Sequence, residues 1–415
     1  MGKKPEGQHD RGLTAAPLAR LRPTAALRAD VAIVGAGPAG LLIANLLQQR
    51  GIDSIVVDKF TREQIHSRAR AGFIEWRNRI MLERVGLADR MLAEGSAHGE
   101  CEFRTVEGSY VLDYAALAGG RAHWVYPQQE LVSDLTDSFL AGGGDIRFGL
   151  ACVDVLDHAA PVALCEDTTT GGRMTLECQV LAGCDGFHGA VRASIPDGAL
   201  AGPAIDHPFQ WLTILAAAPP SSEHVIYAVH PNGFAAHMMR TPTVSRYYRQ
   251  CALGDSVDNW PPERVWSELR TCLAFDRHPL VEGPLLERSM LSLRSVVFEP
   301  MQYRNTLLAG DAAHIITPCG GKGMNLALQD AAVLVELVER YLGGEGDALA
   351  EYTPRRLPDI WRAQEFSHWF LHMLNVYGDS AESGFLQGLA TARLRSLEHH
   401  PEAAAHFATG YVGPE

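Results

Sequence analysis

The chain has 415 residues, of which 47% are hydrophobic and 20% charged, a balance typical of a globular protein long enough for two packed domains. Its formal net charge of −13 argues against a nucleic-acid partner, because polyanions bind basic surfaces. We therefore expect an anionic substrate to be held by a few local arginines and not by the overall field.

Cysteine spacing and hydropathy exclude several other classes of protein. The eight cysteines show no CxxC and no paired spacing, which predicts reduced thiols in a cytoplasmic protein and no metal site. No segment approaches the roughly 18 consecutive apolar residues of a membrane span. The N-terminal residues lack the apolar segment of a secretory signal, and we expect residues 1–29 to be a disordered extension.

A βαβ unit is predicted where ordered sequence begins, at Asp30. The apolar run 31–34 predicts a buried strand, the helical pattern 41–49 follows a glycine-rich turn, and a second apolar strand at 54–57 ends on Asp58. A glycine motif in this context is typical of dinucleotide binding, whereas an isolated one would be an ordinary turn.

The glycine motif is Gly35-Ala36-Gly37-Pro38-Ala39-Gly40. We expect Gly35 to permit the tight turn, Gly37 to let a pyrophosphate approach the backbone, and Gly40 to allow close helix–strand packing. The helix N-terminus would supply free N–H groups to the phosphates. Asp58 would accept hydrogen bonds from the ribose hydroxyls.

The later segments predict a second, β-rich domain followed by helices. Strand-like alternation covers 103–120 and 153–181, and 210–250 is rich in β-forming residues. Helical periodicity returns at 325–341 and 360–374. The predicted fold class is α/β, with a doubly wound dinucleotide-binding domain interleaved with a β-sheet substrate domain and closed by C-terminal helices.

Two further motifs follow predicted strands in chain order. Cys184-Asp185-Gly186 comes after an apolar run, and Gly310-Asp311-Ala312-Ala313-His314 comes after Leu307-Leu308-Ala309. Together with the glycine motif they resemble the ordered trio of the flavoprotein aromatic hydroxylases. The strings Arg70-Ala71-Gly72, Ser245-Arg246-Tyr247-Tyr248 and Gly410-Tyr411-Val412-Gly413 narrow the resemblance to the 4-hydroxybenzoate 3-monooxygenase family, from Asp30 to the C-terminus.

The resemblance implies the cofactors and the reaction. FAD is reduced by NADPH or NADH, and the aromatic acid is hydroxylated with O2 through a flavin C4a-hydroperoxide; a homodimer is also implied. It implies FAD-binding segments at 30–102, 126–200 and 301–345, substrate-domain segments at 103–125 and 201–300, and a helical region at 346–415. The residues implied to bind FAD are Gly35, Gly37, Gly40, Asp58, Arg68, Arg70, Ala71, Gly72, Phe73, Gln128, Asp311, Met324 and Asn325.

The same resemblance assigns roles around the substrate. Arg240 is implied to clamp the carboxylate as a bidentate partner, and Tyr248 adds a hydroxyl. Tyr227 is implied to hydrogen-bond the substrate phenol, with Tyr411 behind it and the Pro318 carbonyl nearby. Drawing the phenol proton outward would favour the electron-rich phenolate.

Two basic residues complete the implied catalytic set. His98 is similar in position to the histidine at the solvent end of the family's proton relay, and Arg246 to the arginine that steers flavin movement. Lys322 and Arg294 are either electrostatic tuners of the flavin and nicotinamide or structural residues. Outside the family context, buried tyrosines and isolated arginines are more often structural.

The sequence departs from the family pattern at the substrate pocket. Met238 stands where the pattern has a serine that donates to the carboxylate, so one hydrogen bond, worth roughly 1.5–3 kcal/mol to a charged group, is lost. Cys319 replaces the usual threonine beside Pro318. A ring with an extra amino or hydroxyl group, such as 3-amino-4-hydroxybenzoate, is therefore the leading variant beside 4-hydroxybenzoate itself.

Nicotinamide preference and overall function leave alternatives open. Lys59 and Phe60 replace the usual Arg-Gln pair, but Lys59, Arg62 and Arg68 keep positive charge for a 2′-phosphate, which favours NADPH over NADH. The alternative functions are a flavin hydroxylase of a larger phenolic natural product and a non-catalytic FAD-binding redox protein. The first predicts little dependence on Arg240, and the second predicts no substrate-stimulated nicotinamide oxidation.

Overall fold

A computed structural model describes residues 26–67, 72–273, 279–377 and 380–414. The strands are, in chain order, β1 Ala26–Arg28, β2 Val31–Val34, β3 Ser54–Asp58, β4 Phe73–Ile74, β5 Ser96–His98, β6 Glu100–Thr105, β7 Gly108–Asp113, β8 His123–Val125, β9 Asp145–Phe148, β10 Leu150–Val155, β11 Val162–Asp167, β12 Arg173–Glu177, β13 Val180–Gly183, β14 Ala204–Ala216, β15 Val225–His230, β16 Gly233–Thr241, β17 Val244–Ala252, β18 Leu285–Val297, β19 Gln302–Tyr303, β20 Thr306–Leu308 and β21 His314–Ile315.

The helices fall into two groups, short ones between the strands and long ones toward the C-terminus. They are α1 Pro38–Gln49, α2 Arg62–His66, α3 Trp76–Arg84, α4 Asp89–Glu94, α5 Tyr114–Leu117, α6 Gln128–Ala141, α7 Ala190–Ala193, α8 Pro262–Leu273, α9 Lys322–Leu342, α10 Tyr352–Leu374, α11 Ser380–His399 and α12 Pro401–Val412. Within the described ranges, no helix is long and apolar enough to cross a membrane.

A six-stranded sheet in the order β19-β20-β13-β2-β3-β9 forms the nucleotide-binding half. The pairings from β20 to β9 are parallel, and β2 is buried along its whole length, as expected for a parallel sheet covered on both faces. Helix α1 packs against α6 and α9. The predicted α/β architecture is confirmed.

The glycine turn between β2 and α1 has the expected close contacts. Gly35 has a φ of 111°, and a Cβ there would lie 2.3 Å from the carbonyl oxygen of Cys184. A Cβ on Gly40 would lie 1.9 Å from the carbonyl oxygen of Gly35. Neither position accepts a side chain without moving backbone, so β13 and α1 can both approach the turn closely.

A four-stranded sheet in the order β1-β12-β11-β10 corrects one expectation. Residues 1–29 were expected to be disordered, but Ala26–Arg28 pair in parallel with β12, so the expectation is wrong for that segment. The N–H of Ala29 donates to the carbonyl of Glu177 at 3.2 Å, because β12 offers an unpaired edge. Residues 1–25 lie outside the described ranges.

The eight-stranded sheet has the order β21-β18-β14-β17-β16-β15-β6-β7. Its strand β6 pairs in parallel with β15, so Cys101 lies beside Val225. One face is covered by α8, where Tyr247 and Trp266 are in edge contact at 5.4 Å. The opposite face carries a second apolar cluster shared with α10 and α12, and this cluster contains the predicted substrate tyrosines.

Candidate active site

A cleft of about 500 Å³ opens at the carboxyl ends of β2, β3 and β13, the position where doubly wound sheets bind ligands. It is lined by Gly35, Gly37, Asp58, Gln128, Asp311 and Met324 among the predicted cofactor residues. A Cβ on Gly37 would meet no atom within 4 Å, so the backbone at this point is open to a ligand. Helix α1 begins there and has no acidic residue in its first turn, which favours a phosphate.

Asp58 is fixed at the end of β3 by two backbone donors. Its carboxylate accepts hydrogen bonds from the N–H groups of Ala36 at 2.7 Å and Phe60 at 2.8 Å. These bonds orient the carboxylate beside the glycine turn and leave acceptor capacity on both oxygens. This geometry suits a ribose diol, as the spacing predicts.

Asp185, the acidic residue of the Cys184-Asp185-Gly186 motif, also lines the cleft. The N–H of Val191 donates to its Oδ2 at 3.0 Å, while its Oδ1 is buried without a hydrogen-bond partner among the described residues. Burial raises the pKa of this carboxyl. A buried oxygen without a partner costs about 1–3 kcal/mol, so a donor from a bound dinucleotide would satisfy it. The cleft residues therefore fit FAD.

Asn325 does not line the cleft as predicted, and its side chain belongs to the scaffold. Its amide nitrogen donates to the carbonyls of Phe73 at 2.7 Å and Gly321 at 2.8 Å. Its amide oxygen accepts from the Glu75 N–H and from Asn78, both at 2.8 Å. These four bonds use the full capacity of the amide, so the side chain ties β4 to the start of α9.

Gly72 and Gly40, two further predicted cofactor residues, are positions of close packing. Gly72 is required by close backbone packing, since a Cβ there would lie 1.7 Å from the carbonyl oxygen of Tyr126. Arg68, Arg70 and Ala71 lie outside the described residues. Gly40 does not line the cleft. It packs against β2, where a Cβ would lie 3.2 Å from the Ile33 side chain, in keeping with its predicted role in helix–strand packing.

Tyr227 and Tyr411 form a buried hydroxyl pair. Their oxygens are 2.7 Å apart, and the two residues are 4% and 0% exposed. Phe370 contacts the Tyr227 ring at 5.0 Å between centroids, and Phe407 stacks on the Tyr411 ring at 5.2 Å. Burial raises the pKa of both hydroxyls well above the ordinary value, so both remain protonated at neutral pH.

The sheet register places Tyr248 and Met238 on the same face as Tyr227. Tyr227 pairs with Ala236, which pairs with Tyr248 on β17. Side chains in one row of a sheet share a face, so Tyr227 and Tyr248 stand about 10 Å apart across the row. Met238 is two residues after Ala236 and shares the face, because side chains alternate along a strand.

Arg240 lies at the end of β16, beside the irregularity between Met239 and Thr241. Its Nη2 donates to the amide oxygen of Gln129 at 3.0 Å, and Gln129 lines the cleft. Burial and the positive charge of Arg246 lower the pKa of Arg240 to about 10, so it stays cationic at neutral pH. The ion pairs between described residues do not include Arg240, which leaves its charge available to an acid.

Pro318 and Cys319 form the turn that precedes α9. The Pro318 carbonyl accepts from the Gly321 N–H at 3.0 Å, so one of its lone pairs closes the turn. Ser367 on α10 donates to the Cys319 carbonyl at 3.0 Å. Cys319 is buried in the same apolar cluster as Tyr227 and Tyr411, so this turn belongs to the surroundings of the hydroxyl pair.

His98 is buried and not at a solvent boundary, contrary to the prediction. It is 6% exposed, and its Nε2 accepts from the Val225 N–H at 3.3 Å. Its Nδ1 lies 3.0 Å from the hydroxyl of Tyr114, which in turn donates to the His98 carbonyl. Burial lowers the pKa of His98 to about 4, so the imidazole is neutral at neutral pH.

Tyr114 and His123 complete a polar cluster that sequence reasoning missed. His123 lies opposite His98 in the β5–β8 register, and its Nδ1 is 3.2 Å from the Tyr114 hydroxyl. The Tyr114 ring is in edge contact with Tyr411 at 4.8 Å, and His123 stacks on Phe73 at 4.0 Å. No sequence motif joins these residues. The β5–β8 pairing sets the two histidines opposite each other, and Tyr114 comes from α5.

The other basic residues have defined partners. Lys322 is buried and donates to Glu75 at 2.7 Å, and Arg294 pairs with Asp206 at the surface at 2.9 Å. Arg62 pairs with Asp137, whereas Lys59 lies at the cleft edge over the Phe60 ring at 5.2 Å. Arg246 lies 5.8 Å from the Tyr248 ring.

Comparison with known proteins agrees with this geometry. A protein-family model described as an FAD binding domain matches residues 28–367. p-Hydroxybenzoate hydroxylase from Acinetobacter baylyi is 36% identical over 390 residues, which are 93% of this chain and 96% of that protein. A 3-(3-hydroxy-phenyl)propionate/3-hydroxycinnamic acid hydroxylase from Paraburkholderia xenovorans is 27% identical over 88% of this chain, which spans 57% of that protein.

Solved structures share the fold. p-Nitrophenol 4-monooxygenase from Pseudomonas putida DLL-E4 superposes with a TM-score of 0.78 at 18% identity and covers 94% of this chain and 99% of that one. The cleft and the family match define an FAD-dependent aromatic monooxygenase that uses NAD(P)H as co-substrate. Within this class, the chain belongs to the 4-hydroxybenzoate hydroxylase family of flavoprotein aromatic hydroxylases.

Proposed function

We propose that this enzyme hydroxylates a small aromatic acid with a phenol para to its carboxylate, either 4-hydroxybenzoate or a ring-substituted form such as 3-amino-4-hydroxybenzoate. The observation that carries the proposal is the buried Tyr227–Tyr411 hydroxyl pair beside the substrate sheet, together with Arg240, a cation at the end of the adjacent strand β16 that contacts the cleft residue Gln129. A phenol-binding group and a cation are thus offered to the two ends of one small ring.

At the acid end, Arg240 supplies the positive charge and Tyr248 a hydroxyl. Arg240 contacts a neutral amide and not a carboxylate, so an incoming acid does not have to displace an ion-pair partner. A guanidinium also matches a carboxylate in planar geometry. Because the site is partly buried, this interaction is stronger than at an exposed surface.

At the phenol end, Tyr227 is the group implied to bind the substrate oxygen, and Tyr411 is its proton partner. Both tyrosines are held as neutral phenols by burial, so neither acts as a preformed tyrosinate base. They can instead accept and donate in one step, so the substrate proton moves along the pair as the phenolate develops. Bound FAD would accept reducing equivalents from the nicotinamide and would activate O2.

The pocket wall supports a substituted ring. Met238 shares the sheet face with Tyr227, and its thioether cannot donate a hydrogen bond to the acid. Cys319 contributes a buried thiol to the apolar cluster that contains Tyr227. One polar contact that the family pattern makes to the carboxylate is absent from this wall, and an amino or hydroxyl group beside the phenol would find a polarizable partner there.

The proposal is tested by comparing acids with their neutral esters. The purified FAD-loaded enzyme is assayed with 4-hydroxybenzoate, 3-amino-4-hydroxybenzoate and the methyl ester of each, with nicotinamide oxidation and hydroxylated product both measured. The acid should be preferred to its ester by roughly 10- to 150-fold in kcat/KM, as expected for loss of a charged hydrogen bond of 1.5–3 kcal/mol.

The matched variant is Arg240→Ala, which should abolish the preference for the acid. Arg294→Ala is the control, because Arg294 is a surface arginine of the same sheet, paired with Asp206. An enzyme that accepts ester and acid equally well before any substitution would contradict the proposal. That result would favour a larger phenolic substrate without an acid group.

A further inference from the structure

Three histidines meet where α10 packs on the substrate sheet, outside the residues that line the flavin cleft. His207 lies on β14, and His368 and His372 lie one turn apart on α10. One ligand atom of each residue lies within 4.8 Å of those of the other two. His207 is about 160 positions from the other two in the sequence, so the packing of α10 on the sheet brings it to them.

The imidazole of His207 is buried and makes no hydrogen bond to the described part of the chain. It is 2% exposed, and neither of its ring nitrogens has a partner there. A buried donor or acceptor without a partner costs about 1–3 kcal/mol. The pairing of β14 with β18 shifts register between Asp206 and Gln210, and such irregularities re-aim side chains at functional sites.

His372 is already oriented by a second contact. Its Nδ1 lies 2.8 Å from the hydroxyl of Tyr377, while its Nε2 is buried and has no partner among the residues described. Metal-binding histidines typically donate their other ring N–H to an oxygen, which fixes the tautomer and the ring direction. Tyr377 supplies that oxygen and leaves Nε2 of His372 facing the cluster.

The ligand set consists of imidazoles. Asp206, next to His207, is paired with Arg294 and is therefore not counted among the ligands.

We propose that His207, His368 and His372 form a binding site for a transition-metal dication of the zinc type. Neutral imidazole nitrogens suit zinc, copper and nickel, whereas magnesium and calcium prefer oxygen ligands. Tetrahedral zinc with Zn–N bonds of about 2.0–2.1 Å requires nitrogens roughly 3.3 Å apart. His368 is exposed and can close this difference by side-chain rotation, and water would complete the coordination.

The site would hold α10 against the sheet that carries the substrate residues. Phe366 and Phe370 lie two residues before His368 and His372, so they project from the opposite side of α10, where successive residues are about 100° apart. Phe370 contacts the Tyr227 ring and Phe366 the Tyr411 ring. A metal at the histidines therefore stabilises the helix that packs on the hydroxyl pair, without touching the substrate.

The experiment measures metal binding by the FAD-loaded enzyme, independently of hydroxylation. Chelator-treated protein is dialysed against micromolar ZnCl2 or MgCl2, and retained metal is quantified by mass spectrometry alongside the thermal midpoint. We expect one equivalent of zinc, no magnesium, and a midpoint that rises with zinc concentration. X-ray absorption should show imidazole nitrogens around the zinc.

The key variant is His368→Ala, because His368 is exposed and its loss leaves the core intact. It should weaken zinc binding by at least about tenfold and remove the zinc-dependent rise of the midpoint. His406→Ala is the matched control, an exposed histidine on α12, and should behave like the unsubstituted enzyme. Absence of saturable zinc binding, or equal zinc retention by His368→Ala, would overturn the proposal.

Discussion

Lys322 donates a 2.6 Å hydrogen bond to the carbonyl oxygen of Tyr411 while its ammonium pairs with Glu75 at 2.7 Å. Lys322 is the first residue of α9, the helix at the edge of the flavin cleft, and Tyr411 is one member of the hydroxyl pair. This one side chain therefore ties the cofactor half of the site to the substrate half. Burial lowers the pKa of Lys322, and Glu75 opposes that effect.

Replacing Lys322 by methionine should destabilise the fold strongly. The change leaves the buried Glu75 carboxylate with Arg77, at 3.2 Å, as its remaining cation among the described residues, and loss of one partner of a buried ion pair costs up to about 3–5 kcal/mol. Urea unfolding of the variant measures the loss. The double variant Lys322→Met with Glu75→Gln should recover part of it, because the buried negative charge is removed together with the ammonium. Losses that simply add in the double variant would contradict the proposed coupling.

Removing either hydroxyl of the tyrosine pair should slow hydroxylation and make it depend on pH. Tyr227→Phe is expected to lower kcat by about 10²-fold or more at pH 7, because substrate deprotonation loses its partner. Activity should recover as pH rises toward the pKa of the substrate phenol, since solvent then performs the deprotonation. Tyr411→Phe should show the same trend more weakly. A variant with the pH profile of the unsubstituted enzyme would show that the pair moves no proton.

The cluster behind that pair gives a separate structural test at Tyr114. Tyr114→Phe removes the hydroxyl that serves both His98 and His123 and leaves Nδ1 of each buried imidazole without that partner. The expected loss of unfolding free energy is about 2–4 kcal/mol. Tyr110→Phe is the control, because its hydroxyl makes one bond, to Leu394, and should lose about 1 kcal/mol. Equal losses would contradict the assigned network.

Acid sensitivity follows from two of the buried histidines. Burial lowers the pKa of His98 and His237 to about 4, from 6.5. Below pH 6.5 the unfolded chain takes up protons that the native state excludes, so stability falls as pH drops from 6.5 to 4. Each histidine contributes a slope of up to roughly 1.4 kcal/mol per pH unit.

The measurement is denaturant unfolding at pH 7.5, 6 and 5. For the carboxyl of Asp330, burial raises the pKa, but His314 and Arg356 outweigh burial and lower the pKa to about 2. Such carboxylates lose their contribution to stability only below about pH 4. The two effects therefore occupy different pH windows. A stability that stays constant from pH 7.5 to 5 would show that these histidines take up protons in the native state as readily as in the unfolded chain.

Local patterns in the sequence predict the nucleotide-binding unit well. The strand, glycine turn, helix and Asp58 are consecutive, and each signal acts within a few residues. The predicted strand at 31–34 is observed at the same bounds, whereas the helix begins at Pro38, three residues earlier than predicted. Proline is well suited to the first turn of a helix, where its lack of an N–H costs nothing.

Contacts that depend on strand pairing could not be predicted. The parallel pairing of β6 with β15 joins segments more than 100 residues apart, and it places buried His98 beneath Val225 instead of at the surface. Likewise, Asn325 matches a family motif, but its amide orientation follows from the positions of Phe73, Glu75 and Asn78. Sequence patterns indicate which residues belong to the site, whereas nonlocal packing determines which of their atoms face the ligand.

The most direct test of the proposed function is the ratio of hydroxylated product to nicotinamide oxidised, measured under ¹⁸O2 for each para-hydroxy acid. We predict that at least one such acid stimulates nicotinamide oxidation, with a ratio near one and a single labelled oxygen in the product. Oxidation that no para-hydroxy acid stimulates, or that yields only hydrogen peroxide with all of them, would contradict the account.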